Sequence, residues 1–406
     1  MNERLAKEGE KKARLKLSSK ILELLRKHSE VELENVEIDV GDLEIWLQPS
    51  AEGIQISQVV SPATRVRPAE TLKTEFVRPL RQYPGSIVEV KLGATKAEGG
   101  TRGRTFVLGG EKTPPFYLSE ETMPHLPVIA LDVFDTEIRL AKAVKTHVEE
   151  VLNDPAEWAK LSVERFGADM INLHLISIDP LIKDTSPATA VNTVEKVLQA
   201  VDVPLTIGGC GDPQKDLRVF EKVAEATKGE RILFNSVTLD MDVKKTAELI
   251  RRSGHAALAF TPMDMNKARE LNRKLYEYLP REDIVIDTTT AALGYGLDYA
   301  FSIMERTRLA GLMGDQELQH PMASGASNAW AAREAWMNLA PEWGPRELRG
   351  PMWEVVTALT LLLAGVDYFM IMHPAAARTV RDVTAQLVSR CQEDPGNWVS
   401  WVTTKL

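Results

Sequence analysis

The residues that could do chemistry gather around one stretch, 203–212, VPLTIGGCGD. A β-rich run ends there in Gly208-Gly209-Cys210-Gly211, and Asp212-Pro213 opens a helical pattern. Glycines at a strand's end allow positive φ and let the backbone come close to a ligand. Asp before Pro is a good N-cap and N1 pair, so the next helix aims its partly positive end at the same point. Alone, the stretch reads equally well as a βα turn without a ligand. The same unit of strand, polar tip and helix recurs on both sides of it.

The other tips carry Asp132 and Asp135, then Asn172, His174 and Ser177, then Asn235 and Ser236, and Thr261. Asp287 with Thr288, Thr289 and Thr290, then Ser324 and His373, complete the set. They are mostly neutral hydrogen-bonding groups with a few carboxylates. No Lys or Arg cluster stands among them, which argues against a phosphorylated substrate held by cations. No His pairs with Asp or Glu at metal-binding spacing, and no Gly-x-Ser-x-Gly elbow or Ser–His–Asp arrangement is suggested. A polar, neutral, concave mouth suits a large uncharged or zwitterionic cofactor held through its edges.

Each residue also has a purely structural use. Asp132 and Asp287 can cap neighbouring loops, and Asn235-Ser236 can satisfy the backbone of their own turn. His174 and His373 are of the kind that packs in a core with its hydrogen bonds made. Met304, Met313, Met322, Met370 and Met372 read as core filling.

The elements that position these tips begin at Val128. Strand-like runs at 128–136, 169–177, 203–209, 231–238, 255–263, 283–290, around 319–324 and at 367–375 alternate with helical patterns. The helices fall near 156–166, 188–200, 214–226, 243–253, 266–278, 297–310, 328–339 and 376–392, with an additional apolar helix at 353–364. Near-continuous apolar strands alternating with helices mean a parallel sheet buried on both faces. Eight such units in about 270 residues predict a (β/α)8 TIM barrel over 126–406, ahead of an open doubly wound sheet. A dinucleotide-binding reading is weaker, because the glycines come at the third unit and lack the expected spacing.

Residues 1–125 read as a small helix-plus-β cap. One amphipathic helix covers roughly the first 30 residues, with Leu15, Leu17, Ile21, Leu22, Leu24 and Leu25 at helical spacing. Alternation in VELENVEIDV and GDLEIWL, broken at Gly41-Asp42, predicts a hairpin, and further short strands follow at 53–60, 86–92 and 104–108. The boundary is expected at 124–127.

The chain's 406 residues, 44% hydrophobic and 26% charged, supply ample core for one large domain and a smaller one. A net charge of −9 argues against general nucleic-acid affinity. No apolar leader is visible, and the longest apolar run, 355–366, falls short of the ~20 residues a membrane span needs, so a cytoplasmic protein is expected. Two cysteines, Cys210 and Cys391, cannot form a four-cysteine iron–sulfur or zinc site within the chain.

Several motifs in order then carry a resemblance: TFVLGGEKTPPFY (105–117), PVIALDVFDT (127–136), ADMINLHLISIDP, VPLTIGGCGDPQKD and ILFNSVTLD. Over roughly 85–392 the chain resembles the small (delta) subunits of the corrinoid iron–sulfur protein, part of the carbon monoxide dehydrogenase/acetyl-CoA synthase system. The first 80 or so residues resemble the longer form in the archaeal acetyl-CoA decarbonylase/synthase complex. The resemblance implies a barrel paired as a heterodimer with a larger (gamma) subunit that holds a [4Fe–4S] cluster. A corrinoid would lie between that subunit and this barrel's mouth. Its cobalt would take a methyl group from a methyl-tetrahydropterin and deliver it to acetyl-CoA synthase, with a methyltransferase and the synthase as transient partners.

The few cysteines agree with a cluster-free subunit. The chain also lacks Asp-x-His-x-x-Gly, which the nearest run, Asn172-Leu-His174-Leu-Ile-Ser177, misses at both ends, so the lower-ligand histidine of many B12 proteins is not expected from this chain. The barrel also resembles pterin-binding methyltransferases and dihydropteroate synthase. Asp132 or Asp135, Asn172, Asn235 and Asp287 lie at strand tips corresponding to those where these families hold a pterin. On this basis Gly208, Gly209, Asn235, Ser236, Thr288 and Thr289 are the expected corrinoid-edge residues. Asn172, Asp287, Asp132 and His373 stand behind or beside them, and no residue of the chain is expected to act as a catalyst. A self-sufficient pterin-dependent methyltransferase and a purely structural partner are the rival readings.

Overall fold

The computed structural model describes residues 81–116 and 123–391. The expected N-terminal helix, the Gly41-Asp42 hairpin and the strand at 53–60 lie outside them. The described residues all fall in one compact unit.

Two short strands come first, β1 (Val90–Leu92) and β2 (Phe106–Leu108), paired antiparallel. Eight parallel strands then alternate with helices. β3 (Val128–Phe134) is followed by α1 (Lys142–Val148) and α2 (Pro155–Glu164), and β4 (Met170–His174) by α3 (Pro187–Ala200). β5 (Leu205–Gly208) leads to α4 (Pro213–Ala226), β6 (Leu233–Val237) to α5 (Val243–Ser253), and β7 (Ala256–Phe260) to α6 (Met265–Tyr276). β8 (Ile284–Asp287) leads to α7 (Leu297–Leu312), β9 (Met322–Gly325) to α8 (Arg346–Leu363), and β10 (Val366–Ile371) to α9 (Pro374–Cys391). β10 pairs with β3 and β9, so the sheet closes into a (β/α)8 barrel. Closure excludes the open doubly wound alternative.

The strands are apolar throughout because both their faces are covered. Side chains alternate across each strand. Ile129, Leu131, Ile171, Ile207, Phe234 and Ile286 belong to the core beneath the helices. Val128, Ala130, Met170, Leu233, Leu258, Val285 and Tyr368 fill the interior. Five helices open on a side-chain cap, from Asp154, Ser186, Asp212, Asp242 and Asp264, and Pro follows the first three. Asp212-Pro213 caps α4 as its sequence predicts.

The β1–β2 hairpin seals the end of the barrel where the strands begin. Val90, Leu92 and Leu108 share the interior core with Val128, Met170 and Leu233. Two buried arginines fasten this floor. Arg102 Nε donates to Glu230 Oε2 at 2.8 Å, and its Nη1 donates to the Val201 carbonyl at 2.6 Å. Arg308 Nη1 donates to Glu111 Oε2 at 2.9 Å, and its Nη2 donates to Asp367 Oδ2 at 2.6 Å. The boundary expected at 124–127 falls between this floor and β3, and residues on its two sides share one core.

One element differs from expectation. The Ala- and Trp-rich stretch 328–339 is not a helix but part of a series of 3-10 turns, Ala326–Ala331, Arg333–Ala335 and Pro341–Trp343. Side chains from α8 take the carbonyls a helix would use. Arg349 donates to the Glu334 and Met337 carbonyls, and Arg346 to that of Trp336. Trp330 packs on Gly350, where any side chain would collide with its ring. The apolar helix expected as an addition is therefore α8 itself, the barrel helix between β9 and β10.

Candidate functional site

Above the apolar interior, the last inward position of several strands turns polar. Asp132 stands beside Asn172 in the ladder, His174 beside Gly208, Gly208 beside Asn235, and Phe260 beside Asp287. Strand alternation places Asp132, Asn172, His174, Gly208, Asn235 and Asp287 on the inner face at the C-terminal ends, where ligands of this fold bind. One layer down, Thr206 Oγ1 and Tyr368 OH meet at 2.6 Å and form a buried base for the mouth.

On one side Asp132 Oδ1 is the hub. Asn172 Nδ2 donates to it at 2.7 Å, and His174 Nε2 lies 3.1 Å from it. The two nitrogens are 2.9 Å apart. Phe134 stacks on the His174 ring, centroids 4.7 Å apart and planes within 11°. Asn172 Oδ1 is buried and has no partner among the described residues. A buried amide oxygen without a hydrogen bond costs about 1–3 kcal/mol.

On the other side Asp287 is fully buried, and burial pushes its carboxyl up to about 7. Its Oδ1 accepts from Thr289 N at 2.7 Å, and no Lys or Arg is bonded to it among the described residues. Thr289 holds a left-handed φ of 77°, rare for a β-branched residue. The Asp287 bond and its own hydroxyl, which donates to the Thr261 carbonyl at 3.0 Å, hold it there. Thr290 and Ser324 hydroxyls pair at 2.9 Å, whereas Thr261 Oγ1 and Thr288 Oγ1 are buried without partners among the described residues.

The glycine turn satisfies its own backbone. Asp216, from the first turn of α4, reaches back and accepts from Cys210 N at 2.8 Å and Gly211 N at 2.9 Å. Gly209 N donates to the Asn235 carbonyl at 3.0 Å. These amides do not form an anion cradle. Burial, reinforced by Asp216, pushes the Cys210 thiol up to about 11, which leaves no thiolate for nucleophilic work at neutral pH.

Asn235 and Ser236 follow, joined by a cis peptide. Among the described residues, Asn235 Nδ2 has only the thioether of Met370, at 3.4 Å, as a hydrogen-bond partner. Asp135 braces the loop after β4, accepting from Ser177 N at 2.8 Å and Ser177 Oγ at 2.5 Å.

His373 stands apart from this group. Its Nδ1 accepts from Ala375 N at 3.1 Å in the first turn of α9, and its ring packs between His147 and Trp330. Burial lowers it to about 4, so it is a neutral, structural imidazole. Glu354 of α8 holds the chain there by accepting from Met372 N and His373 N, and burial pushes its carboxyl up to about 8.

Sequence reasoning weighed His174 as a core histidine, yet the structure puts it in the mouth with its side chain 23% exposed. The signal was its spacing: two residues after Asn172, it must share that residue's inward face. Glu354 and Asp216 gave no comparable signal. Among the described residues no group of His, Cys, Asp and Glu gathers as a metal site. None of their helices is long and apolar enough to cross a membrane. The arrangement can hold an uncharged, hydrogen-bonding ligand.

A family model described as CO dehydrogenase/acetyl-CoA synthase delta subunit matches residues 89–340. The acetyl-CoA decarbonylase/synthase complex subunit delta of Archaeoglobus fulgidus is 53% identical over 342 residues, covering 82% of this chain and 76% of that protein. The subunit of the same name from Methanothermobacter thermautotrophicus is 44% identical over 389 residues, covering 94% and 97%. Among solved structures, dihydropteroate synthase from Thermus thermophilus aligns at a TM-score of 0.44 with 19% identity, over 66% of this chain and 98% of that one. The extent and identity of these sequence matches place the chain in the CO dehydrogenase/acetyl-CoA synthase delta subunit family.

Proposed function

We propose that this chain is the cluster-free, corrinoid-docking subunit of an acetyl-CoA synthase/decarbonylase assembly. In this reading it helps hold a corrinoid shared with a larger, [4Fe–4S]-bearing gamma-type subunit in a cytoplasmic heterodimer. Methyl groups then pass between a methyl-tetrahydropterin and acetyl-CoA synthase, in acetyl-CoA synthesis or cleavage. Family membership supports the assembly. One observation supports the cofactor: a mouth whose buried Asn172 Oδ1, Thr261 Oγ1 and Thr288 Oγ1 have no partner among the described residues, and whose Asp132 and Asp287 are bonded to no Lys or Arg among them.

Those atoms fit a large uncharged ligand with amide edges. The corrinoid, when bound, supplies the cobalt that carries the methyl group. The chain's own task is to hold and shield. Gly208 leaves the rim low, and Asn235 and Thr288 present hydrogen-bonding groups. The apolar interior beneath keeps water out and holds the reacting partners in one geometry.

Asp287 favours a second reading, a pterin site in the barrel itself, because a carboxyl with no cation beside it can both donate to and accept from a ring amide edge. Titrating the chain separately with cyanocobalamin and with methyl-tetrahydrofolate tests the two. Saturable corrinoid binding that Asn235→Ala weakens supports the first reading. Saturable pterin binding without corrinoid binding supports the second and overturns the first.

A further inference from the structure

His174 is held from two sides and free on a third. Phe134 fixes the plane of its ring, and Asp132 Oδ1 lies 3.1 Å from Nε2. A proton on Nε2 makes that approach a hydrogen bond, converging with Asn172 Nδ2 on the same oxygen. A proton on Nδ1 alone would set the Nε2 lone pair against a buried carboxylate. Asn172 Nδ2, a donor only, lies 2.9 Å from Nε2 and pulls toward the other tautomer. It already donates to Asp132 Oδ1, and an Nε2–H bond to the charged carboxylate is stronger than a neutral amide–imidazole bond, so the Nε2–H tautomer is favoured. Nδ1 is then left as an acceptor, and among the described residues nothing bonds it. It borders the inner face of Gly208, where a Cβ would stand 3.3 Å away, and glycine keeps that corner open.

We propose that His174 is a ligand-facing residue of the mouth: Asp132 keeps the proton on Nε2, and Nδ1 accepts a hydrogen bond from a carboxamide N–H at the edge of the corrinoid. The assignment rests on the corrinoid reading above and adds to it the group that reads the amide fringe.

The test uses the full chain with 15N-labelled histidines, seven in all. Two-bond 15N–1H spectra report which nitrogen of each ring carries the proton. His174 is expected as the Nε2–H form, and Asp132→Asn is expected to disturb it. Cyanocobalamin, which carries primary carboxamides, is expected to shift the His174 Nδ1 resonance. A corrinoid whose carboxamides are replaced by methyl esters is expected not to. His174→Phe keeps a ring on Phe134 but loses both nitrogens, and should bind cyanocobalamin about tenfold more weakly, the loss of one hydrogen bond in a shielded site. His174→Asn, whose side-chain oxygen can take the place of Nδ1, should recover part of that loss. Unchanged affinity in His174→Phe, or an Nδ1–H tautomer in the free chain, overturns the assignment and leaves the corrinoid reading standing. If wild-type protein binds no cyanocobalamin, the corrinoid reading fails and takes this assignment with it.

Discussion

The Asp216 carboxylate occupies the space into which a side chain at Gly209 would grow. A Cβ there would lie well inside van der Waals contact of the carboxyl group, which is itself fixed by the Cys210 and Gly211 amides. Gly209→Ala must displace Asp216 and release two amides of the turn. It is expected to lower stability by about 1–3 kcal/mol, read from denaturant midpoints. Asp216→Ala with Gly209→Ala should recover the steric part. A neutral Gly209→Ala would show that the carboxyl does not close the turn.

Asp287 gives a pH dependence with a definite sign. Its folded pKa of about 7 lies above the ordinary carboxyl value near 4. The folded state therefore holds more protons between these limits. The stability this group contributes is fully present below about pH 4 and is lost as pH rises through about 7. Asp287→Asn removes the titration, so the variant's Tm should gain on wild type from pH 4 to 7 and level off above. Glu354→Gln should behave alike up to about pH 8. A difference independent of pH would contradict the buried, unpaired state of either carboxyl.

The barrel was legible because its strands are apolar on both faces and five of its helices open on Asp or Ser, three of them followed by Pro. The 328–339 stretch was misread because its Ala and Trp residues carry a helical period, and only Arg346 and Arg349 reaching across from α8 decide otherwise. Pairing within the mouth was out of reach for a related reason. Asp132 and Asn172 meet because β3 and β4 take one particular register, and residues 40 apart in sequence do not announce that. His373 marks the opposite failure, a strand-end histidine that helix α9 uses for its own first turn.

Arg308 ties Glu111 of the floor to Asp367 of β10, all three buried. Even beside Arg308, burial pushes the Asp367 carboxyl well above its ordinary range. Arg308→Met would leave two buried carboxyl groups uncompensated and should destabilise the protein by about 3–5 kcal/mol. Replacing Glu111 and Asp367 by apolar residues in the same chain should restore most of the loss in urea denaturation. A single Arg308→Met variant within about 1 kcal/mol of wild type would mean that the triad does not fasten the floor.

Asn235 is a clean probe of the mouth, because among the described residues its side chain bonds only a thioether. Asn235→Ala should change stability by less than about 1 kcal/mol, since a bond to sulfur is weak. Cobalt retained on isolation of the complex should fall nonetheless. Full cobalt content with full methyl-transfer rates would remove Asn235 from the corrinoid edge.

The most direct measurement is gentle isolation of the chain from its native cell, with cobalt and iron determined on whatever accompanies it. The account predicts a larger partner subunit, near-stoichiometric cobalt and about four irons per heterodimer, the content of one [4Fe–4S] cluster. A chain isolated alone and free of cobalt, yet able to bind a methyl-tetrahydropterin, would contradict it.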